Sequence, residues 1–138
     1  MIVKTTAIVL KRFPYGDTSL IARCFTRDYG KVSIMVRGAQ RKKSPRSAYF
    51  QPANYLETLL YYKQNRDMHM LSKVSFIKNW IRFQDDLKRL SYALTTVELV
   101  DKTVVDQDPH ENLFDELAAT LSFFHNEEKY FNLCFLVF

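Results

Sequence analysis

Cysteine, glycine and proline are scarce in this chain of 138 residues, which contains two, three and four of them. Cys24 and Cys134 form no Cys-x-x-Cys pair, so the sequence indicates neither a disulfide framework nor a thiolate metal cage. We expect two buried, reduced thiols, because free cysteine packs as a small hydrophobic residue. The three glycines lie in three separate turns, and this excludes a glycine-rich loop that cradles phosphate.

Long hydrophobic runs are also missing. The longest extend over a few residues, as in Ala7-Ile8-Val9-Leu10, whereas a membrane-spanning helix needs roughly 20. The first residues lack the charged, apolar and small-residue order of a secretory signal. We therefore expect a cytoplasmic protein, and its 47% hydrophobic residues are enough to bury an ordinary core.

Groups that carry out catalysis are few and scattered. His69, His110 and His125 have no spacing that would bring two of them to a shared metal. The acidic pairs Asp85-Asp86 and Glu127-Glu128 fall at predicted helix starts, where the helix dipole favours carboxylates. We therefore expect no enzymatic activity, no catalytic residue, no metal and no cofactor.

Charge is divided unevenly along the chain. Residues 1–80 contain 15 Lys and Arg against 4 Asp and Glu, while residues 81–138 contain 5 against 11. The formal net charge of the whole chain, +5, hides this division. Because clustered cations release condensed counterions when they bind phosphates, we expect a polyanion to bind the first 80 residues.

The first 80 residues show the two-residue alternation of β-strands, as in Val32, Ile34 and Val36. This alternation and the turn signals predict five strands, over Val3–Lys11, Thr18–Thr26, Val32–Val36, Asn54–Lys63 and Met68–Lys78. Only the connection between the third and fourth strands is long. The pattern favours a five-stranded oligonucleotide-binding (OB) barrel, with an SH3-like barrel or an open meander as the alternatives.

After Trp80 the hydrophobic spacing changes to the threes and fours of α-helices. It predicts one long helix from about Phe83 to Val105, whose buried face comprises Phe83, Leu87, Leu90, Leu94, Val97 and Val104. A second helix is predicted to begin with an Asp108 cap, Pro109 at its first position and Glu111 closing a capping box. Its buried stripe is predicted to contain Leu113, Leu117, Leu121 and Phe124.

A third helix is predicted from Lys129 onward, and it reaches Phe138 without a stop signal. The sequence is therefore expected to be a fragment. The predicted fold class is α+β, with an OB barrel over residues 1–80 followed by an incomplete helical domain over residues 81–138.

A series of segments, in this order along the chain, is similar to one protein family. The segments are Ala7–Arg12, Tyr15–Thr18, Phe25–Ser33, Arg37–Ser44, Phe50–Pro52, Asp86–Ala93 and Glu98–Lys102. They resemble the amino-terminal region and the following helical segments of the RecO family of bacterial recombination mediators. Each motif is weak alone, but the ordered series is specific and extends over nearly all of the chain.

The resemblance implies an OB barrel and a helical domain in a DNA-repair protein without catalytic residues. Family members bind single- and double-stranded DNA, anneal strands coated with single-strand-binding protein, and act with RecR to load the RecA recombinase. The resemblance therefore implies these partners, together with a location at the bacterial nucleoid. The zinc-binding cysteines of some relatives are absent, and a pocket for the acidic tail of single-strand-binding protein is expected to be incomplete.

The segment 37–46 is the best candidate for phosphate contact, because five of its ten residues are cationic. Gly38 allows close backbone approach and Pro45 limits helix formation, so we expect a mobile loop at the barrel rim. A merely solvated loop is the alternative. The candidate DNA-binding residues are Arg37, Arg41, Lys42, Lys43 and Arg46, extended by Lys11, Arg12, Arg23, Lys63 and Arg66.

Aromatic residues are interleaved with this charge. They are Phe13, Tyr15, Tyr29, Tyr49, Phe50, Tyr55, Tyr61 and Tyr62. OB barrels stack bases on exposed rings inside a cationic groove, and Tyr49, beside the basic segment, is the predicted base-stacking residue. The alternative is a protein-interaction module, in which the basic loop docks on an acidic protein surface.

Overall fold

The computed structural model describes residues 1–39, 45–104 and 107–127. Five strands, β1 (Ile2–Tyr15), β2 (Ser19–Thr26), β3 (Gly30–Val36), β4 (Tyr55–Tyr61) and β5 (Met68–Lys78), close into a barrel in the order β1-β2-β3-β5-β4. The pair β3–β5 is parallel and the other pairs are antiparallel. The barrel confirms the predicted OB fold, and closure excludes an open meander.

Four helices accompany the barrel in the part of the chain that the structure describes. Helix α1 (Arg46–Tyr49) lies between β3 and β4, and α2 (Ile81–Asp85), α3 (Leu87–Thr103) and α4 (Glu111–Asn126) follow β5. The α+β class with helices after the barrel is therefore confirmed. No helix among the described residues is long and apolar enough to cross a membrane.

The barrel interior is formed by alternate residues of each strand. Val9, Cys24 and Ile34 point inward and are completely buried, which confirms the inward face predicted for the third strand. Burial raises the pKa of the Cys24 thiol far above its usual range, so this cysteine is the buried, reduced thiol expected from the sequence. Cys134 lies outside the described residues.

Strand β1 is longer than the alternation predicted. It continues past Lys11 to Tyr15, because the pairing with β2 shifts register between Val9 and Lys11 and then runs on to the pair Tyr15–Ser19. The extra residue of this bulge, Leu10, interrupts the alternation that the sequence analysis followed. The β1–β2 pairing therefore continues well past Ile8, the last residue of β1 that pairs with β4.

The expectation that Pro45 limits helix formation was wrong, while residues 40–44 of the predicted loop lie outside the described residues. Residues Arg46 to Tyr49 form α1, with Pro45 at the N-cap position. Proline blocks a helix in its interior but is compatible with the positions where a helix begins, so Pro45 precedes a helical turn instead of preventing one.

The predicted long helix from Phe83 to Val105 is interrupted at Asp86. This residue has an extended backbone, and its carboxylate accepts hydrogen bonds from the backbone N–H groups of Lys88 and Arg89 at 3.1 and 3.3 Å. Asp86 therefore caps α3, and a short helix α2 precedes it.

The buried face of α3 also differs from the prediction. Its buried residues are Arg89, Ala93, Thr96, Val97 and Val100. Leu87 is 78% exposed and Leu94 is also exposed, because the break at Asp86 means that α3 does not continue the apolar face that begins at Phe83.

Helix α4 begins later than its capping motif predicted. His110, not Asp108, occupies the N-cap position, and it makes no side-chain capping bond. Gln107, three residues before the N-cap, has a left-handed backbone and donates its N–H to the Lys31 carbonyl at 2.9 Å. This bond holds the segment before α4 against β3. The predicted stripe is confirmed at Leu117, Leu121 and Phe124, and the third predicted helix lies outside the described residues.

The helices pack on the outer side of β1 and β2. Ile8 and Phe25 face away from the barrel interior and join one core with residues of α3 and α4, including the edge-to-face contact of Phe25 and Phe114 at 5.6 Å. At the rim of this interface, Arg27 donates two hydrogen bonds, of 3.0 and 3.1 Å, to the two carboxylate oxygens of Asp115. Barrel and helices thus share a continuous core.

Candidate nucleic-acid interface

The strand register divides the barrel into two ends. At the end called here the hairpin end lie the β1–β2 turn after Tyr15, the carboxyl end of β3 and helix α1. At the opposite end lie the β2–β3 turn and the β4–β5 turn, where the N–H of Ser33 donates to the carbonyl of Asp67 at 2.9 Å. The predicted cations are distributed over both ends and the wall between them.

Three predicted cations lie at the hairpin end. Arg12 faces inward from β1 and donates from its guanidinium to the carbonyl and hydroxyl oxygens of Ser47 in α1, at 2.7 and 3.1 Å. Arg46 is half-buried and contacts the Ser72 carbonyl of β5 at 3.5 Å. Arg37 is exposed directly after β3. Arg41, Lys42 and Lys43 lie outside the described residues, between Arg37 and Arg46 in the sequence.

Tyr49 is placed at the same end, but its ring is half-buried. It stacks on Phe76 of β5 with a centroid distance of 4.6 Å and an interplanar angle of 28°. One face of the Tyr49 ring is therefore occupied within the protein, and the residue supports α1 against the barrel.

Lys11 and Arg23 lie on the outer wall, where a carboxylate from the helical half meets them. The Asp101 side chain of α3 is within 3.7 Å of Lys11, 4.0 Å of Arg23 and 3.2 Å of the buried Lys31. Lys31 also donates to the Asp101 carbonyl at 2.6 Å. Three cations and one carboxylate leave this group with a net positive charge. We call Lys11, Arg23, Lys31 and Asp101 the Asp101 cluster.

Lys31 was not among the residues that sequence reasoning selected. The strand pairing places Lys31 opposite Phe25, on the same outer side as the pair Lys11–Arg23. The contact with Asp101 is set by helix packing, and no pattern within the strands predicts it.

Lys63 and Arg66 lie in the β4–β5 connection at the opposite end, and both are exposed there. Nearby, Tyr29, Tyr62 and His69 form a ladder of rings with centroid distances of 4.4 and 4.5 Å. The structure therefore does not bring Lys63 and Arg66 together with the cations of the hairpin end.

Two exposed aromatic rings mark the outer side of the β1–β2 hairpin. Phe13 and Tyr15 are 42% and 53% exposed and share the side of β1 that carries Lys11. Their cross-strand partners are Ile21 and Ser19, and Ile21 in turn pairs with Met35 of β3. We call this surface, with Arg37 at its edge, the hairpin face. Both rings were aromatic candidates in the sequence, but Tyr49 was preferred because it lies beside the basic segment.

The hairpin face combines the two groups that bind single-stranded nucleic acid in OB barrels. Its rings offer stacking surfaces, and Lys11 and Arg23 of the Asp101 cluster lie on the same side of the same strands. Within residues 1–39, 45–104 and 107–127, no three metal-binding side chains lie together. The arrangement favours noncovalent binding of a polyanion with planar groups.

Comparison with known proteins identifies the family. The family model described as "Recombination protein O N terminal" matches residues 1–80, and the one described as "Recombination protein O C terminal" matches residues 84–138. The chain belongs to the recombination protein O (RecO) family.

The curated relatives that this RecO-family chain matches are each named "DNA repair protein RecO". Those of Salinibacter ruber, Chlorobaculum parvum and Prosthecochloris aestuarii are 37%, 35% and 31% identical to it, over 87%, 95% and 96% of the chain. The matched regions are 46%, 50% and 50% of the relatives' lengths. The chain therefore spans about half the length of the RecO proteins it matches.

Proposed function

We propose that this chain is the DNA-binding part of a non-enzymatic mediator of DNA repair and recombination. The observation that carries the proposal is the hairpin face, where the exposed rings of Phe13 and Tyr15 lie beside the cations Lys11, Arg23 and Arg37. Stacking on such rings and neutralisation of phosphates are the two sources of affinity for single strands. Membership of the RecO family supports the same role.

The proposed ligands are single- and double-stranded DNA. Phosphates are common to both, so the cations serve either ligand, whereas the rings serve only unpaired bases. The residues proposed to contact phosphate are Arg37, Arg41, Lys42, Lys43 and Arg46, with Lys11 and Arg23 on the adjoining wall. In this proposal Arg12 acts indirectly by holding α1, and Lys63 and Arg66 lie outside the path of the strand.

The proposed domain organisation assigns DNA binding to residues 1–80 and protein contacts to residues 81–138. The proposed activities are strand annealing and, together with RecR, loading of RecA onto DNA that carries single-strand-binding protein. The acidic tail of that protein is proposed to contact the helical half. These partner roles rest on the family resemblance.

The test is fluorescence anisotropy of a labelled single-stranded oligonucleotide of about 16 nucleotides, the upper site size of one OB fold, at two salt concentrations. We expect binding that weakens as salt rises. Replacing Arg41, Lys42 and Lys43 together by Ala should flatten the log–log salt slope by about 0.7 for each lost phosphate contact. Absence of binding at low salt would overturn the proposal and favour docking of the basic segment on an acidic protein surface.

A further inference from the structure

A cleft of about 510 Å³ lies where the barrel meets the helical half. The segment after α1, the carboxyl end of β5, helix α2 and the first turn of α3 form its walls. The residues of its lining that bear on binding are Gln51, Asn54, Phe76, Asn79, Trp80 and Gln84. Its size falls in the range of sites that take small organic groups.

The floor of the cleft is aromatic and fixed. Trp80 is almost fully buried, and its ring N–H donates to the Ala53 carbonyl at 2.6 Å. Phe83 supports it from one side with a centroid distance of 5.5 Å. Phe76 remains 36% exposed, while Tyr49 stacks on its ring. An incoming planar group would therefore meet Phe76 without any need to rearrange the core.

The described part of the rim carries amides. Gln51, Asn79 and Gln84 are exposed, and the described residues that line the cleft include no Asp, Glu, Lys, Arg or His. Each amide offers a carbonyl acceptor and N–H donors in one plane. This is the complement of a nucleobase edge, as in the paired hydrogen bonds of Asn and Gln with adenine. A charged peptide or an inorganic ion would find no counter-charge on these walls.

Cations lie close by along the chain. Lys78 is exposed and directly precedes Asn79, and Arg46 belongs to the same short helix as Ala48 of the cleft wall. Side chains on these two elements can hold the phosphates on either side of a base that has entered the cleft.

We infer that this cleft binds one unstacked base of single-stranded DNA, an inference that rests on the proposed DNA-binding function. A base inside a duplex is stacked and its Watson–Crick edge is occupied, so it cannot enter. The cleft therefore gives the chain a preference for single strands that the cations alone do not provide.

The experiment compares affinities for a single strand and for a duplex of the same length, using the full chain. Two variants probe the cleft: Phe76→Ala, and the exposed double variant Gln51→Ala with Gln84→Ala, which leaves the aromatic floor intact. Gln64→Ala is the matched control, because Gln64 is an exposed glutamine in the β4–β5 turn at the opposite end.

We expect Phe76→Ala to weaken single-strand binding by about 5- to 150-fold, the range of one lost base stack. The double variant should weaken it about 5-fold, and neither should change duplex affinity more than about 2-fold. A single strand of abasic sites should bind wild type and variants equally.

Three results would overturn the inference. One is unchanged single-strand affinity in the double variant, which would leave the cleft open to a peptide or another ligand. Another is an equal loss for single strand and duplex. A third is wild-type binding that does not distinguish abasic from normal strands. If wild type binds neither DNA, the proposed function itself fails, so the two failures can be told apart.

Discussion

The two halves of the β1–β2 hairpin have opposite environments on the same outer side. In the middle of β1, Ile8 and Phe25 form a cross-strand pair that is completely buried beneath the helices. Near its end, Phe13 and Ile21 form the equivalent pair, yet Phe13 is exposed. The Asp101 cluster lies between them. A continuous strand pair thus serves as a packing surface at one end and as a candidate binding surface at the other.

The largest expected effect is on the buried half. Phe25→Ala should lower the free energy of unfolding by about 3–5 kcal/mol, because it removes a fully buried ring and leaves a cavity against Phe114. Phe13→Ala is the matched control on the exposed half and should cost less than about 1 kcal/mol. Urea denaturation measures both. Similar losses for the two variants would mean that the halves do not differ as described.

The next effect tests how closely the helical half approaches the barrel. Gly30 has φ +70°, and a Cβ there would lie 2.5 Å from the backbone nitrogen of Asp108. Gly30→Ala should therefore destabilise the chain by about 2 kcal/mol or more, since strain and backbone displacement add. Gly16 has φ +63° and open space around it, so Gly16→Ala should cost only the backbone strain of about 1 kcal/mol. Equal melting temperatures for the two variants would contradict the close docking.

On the exposed half, the expected effect is on binding instead of stability. Phe13→Ala and Tyr15→Ala should each weaken single-stranded DNA binding by about 1–3 kcal/mol, and leave thermal unfolding nearly unchanged. Tyr61→Ala is a suitable control, because Tyr61 is a tyrosine of similar exposure (52%) that pairs with the opposite end of β1. Anisotropy titrations of the three variants would refute the assignment if Tyr61→Ala were the most impaired.

A smaller effect is expected at the boundary between the halves. Asp101→Asn removes the carboxylate that Lys11, Arg23 and Lys31 share. This change should raise DNA affinity a few-fold and steepen the salt slope by about 0.7 for each additional phosphate that the cluster neutralises. Glu98→Gln changes the net charge equally on the same helix, but Glu98 pairs with the exposed Lys102 outside the cluster. If both variants raised affinity alike, net charge and not the cluster would be responsible.

The smallest expected effect is a pH response at the opposite end. Burial is the main cause that lowers the pKa of His69 below 6.5, so the folded state keeps this imidazole neutral while the unfolded chain binds a proton. Its contribution to stability should be complete above pH 6.5 and should decline as the pH falls from there towards the folded-state pKa.

His69→Gln should flatten that decline in denaturation curves collected from about pH 7.5 to 5.5, around the histidine range, without altering DNA affinity at pH 7.5. His110→Gln changes an exposed histidine and should leave the decline of stability with falling pH as it is in the wild type. A pH response that survives in His69→Gln would assign the titration to another group.

The strands could be located from the sequence, because a closed barrel with one buried side imposes an alternation that is visible within each strand. The predictions were wrong where a single residue disturbed this pattern. Because of the bulge at Leu10, the last four residues of β1 were not predicted to be strand. The position of Phe13 and Tyr15 on one side of that strand was therefore not predicted either. Asp86 interrupted the predicted helix, although a carboxylate at that position is also a typical N-cap.

Other features of the site could not be predicted, because they arise from contacts between distant segments. Arg89 is buried in α3, where its guanidinium donates to the Phe124 and His125 carbonyls at 2.8 and 3.1 Å at the end of α4. Lys31 is likewise buried against Asp101, 70 residues away in the sequence. From the sequence alone, cations in such positions are expected to be surface residues, because their burial depends on how the helices pack.

The central claim is that the exposed half of the β1–β2 hairpin binds nucleic acid. The most direct measurement is a titration of the isotopically labelled chain with a short single-stranded oligonucleotide, followed by backbone amide NMR shifts. The account predicts the largest shifts at Phe13, Tyr15, Ser19 and Arg37, with little change in the β4–β5 turn. Shifts concentrated at Lys63 and Arg66, with the hairpin unaffected, would contradict it.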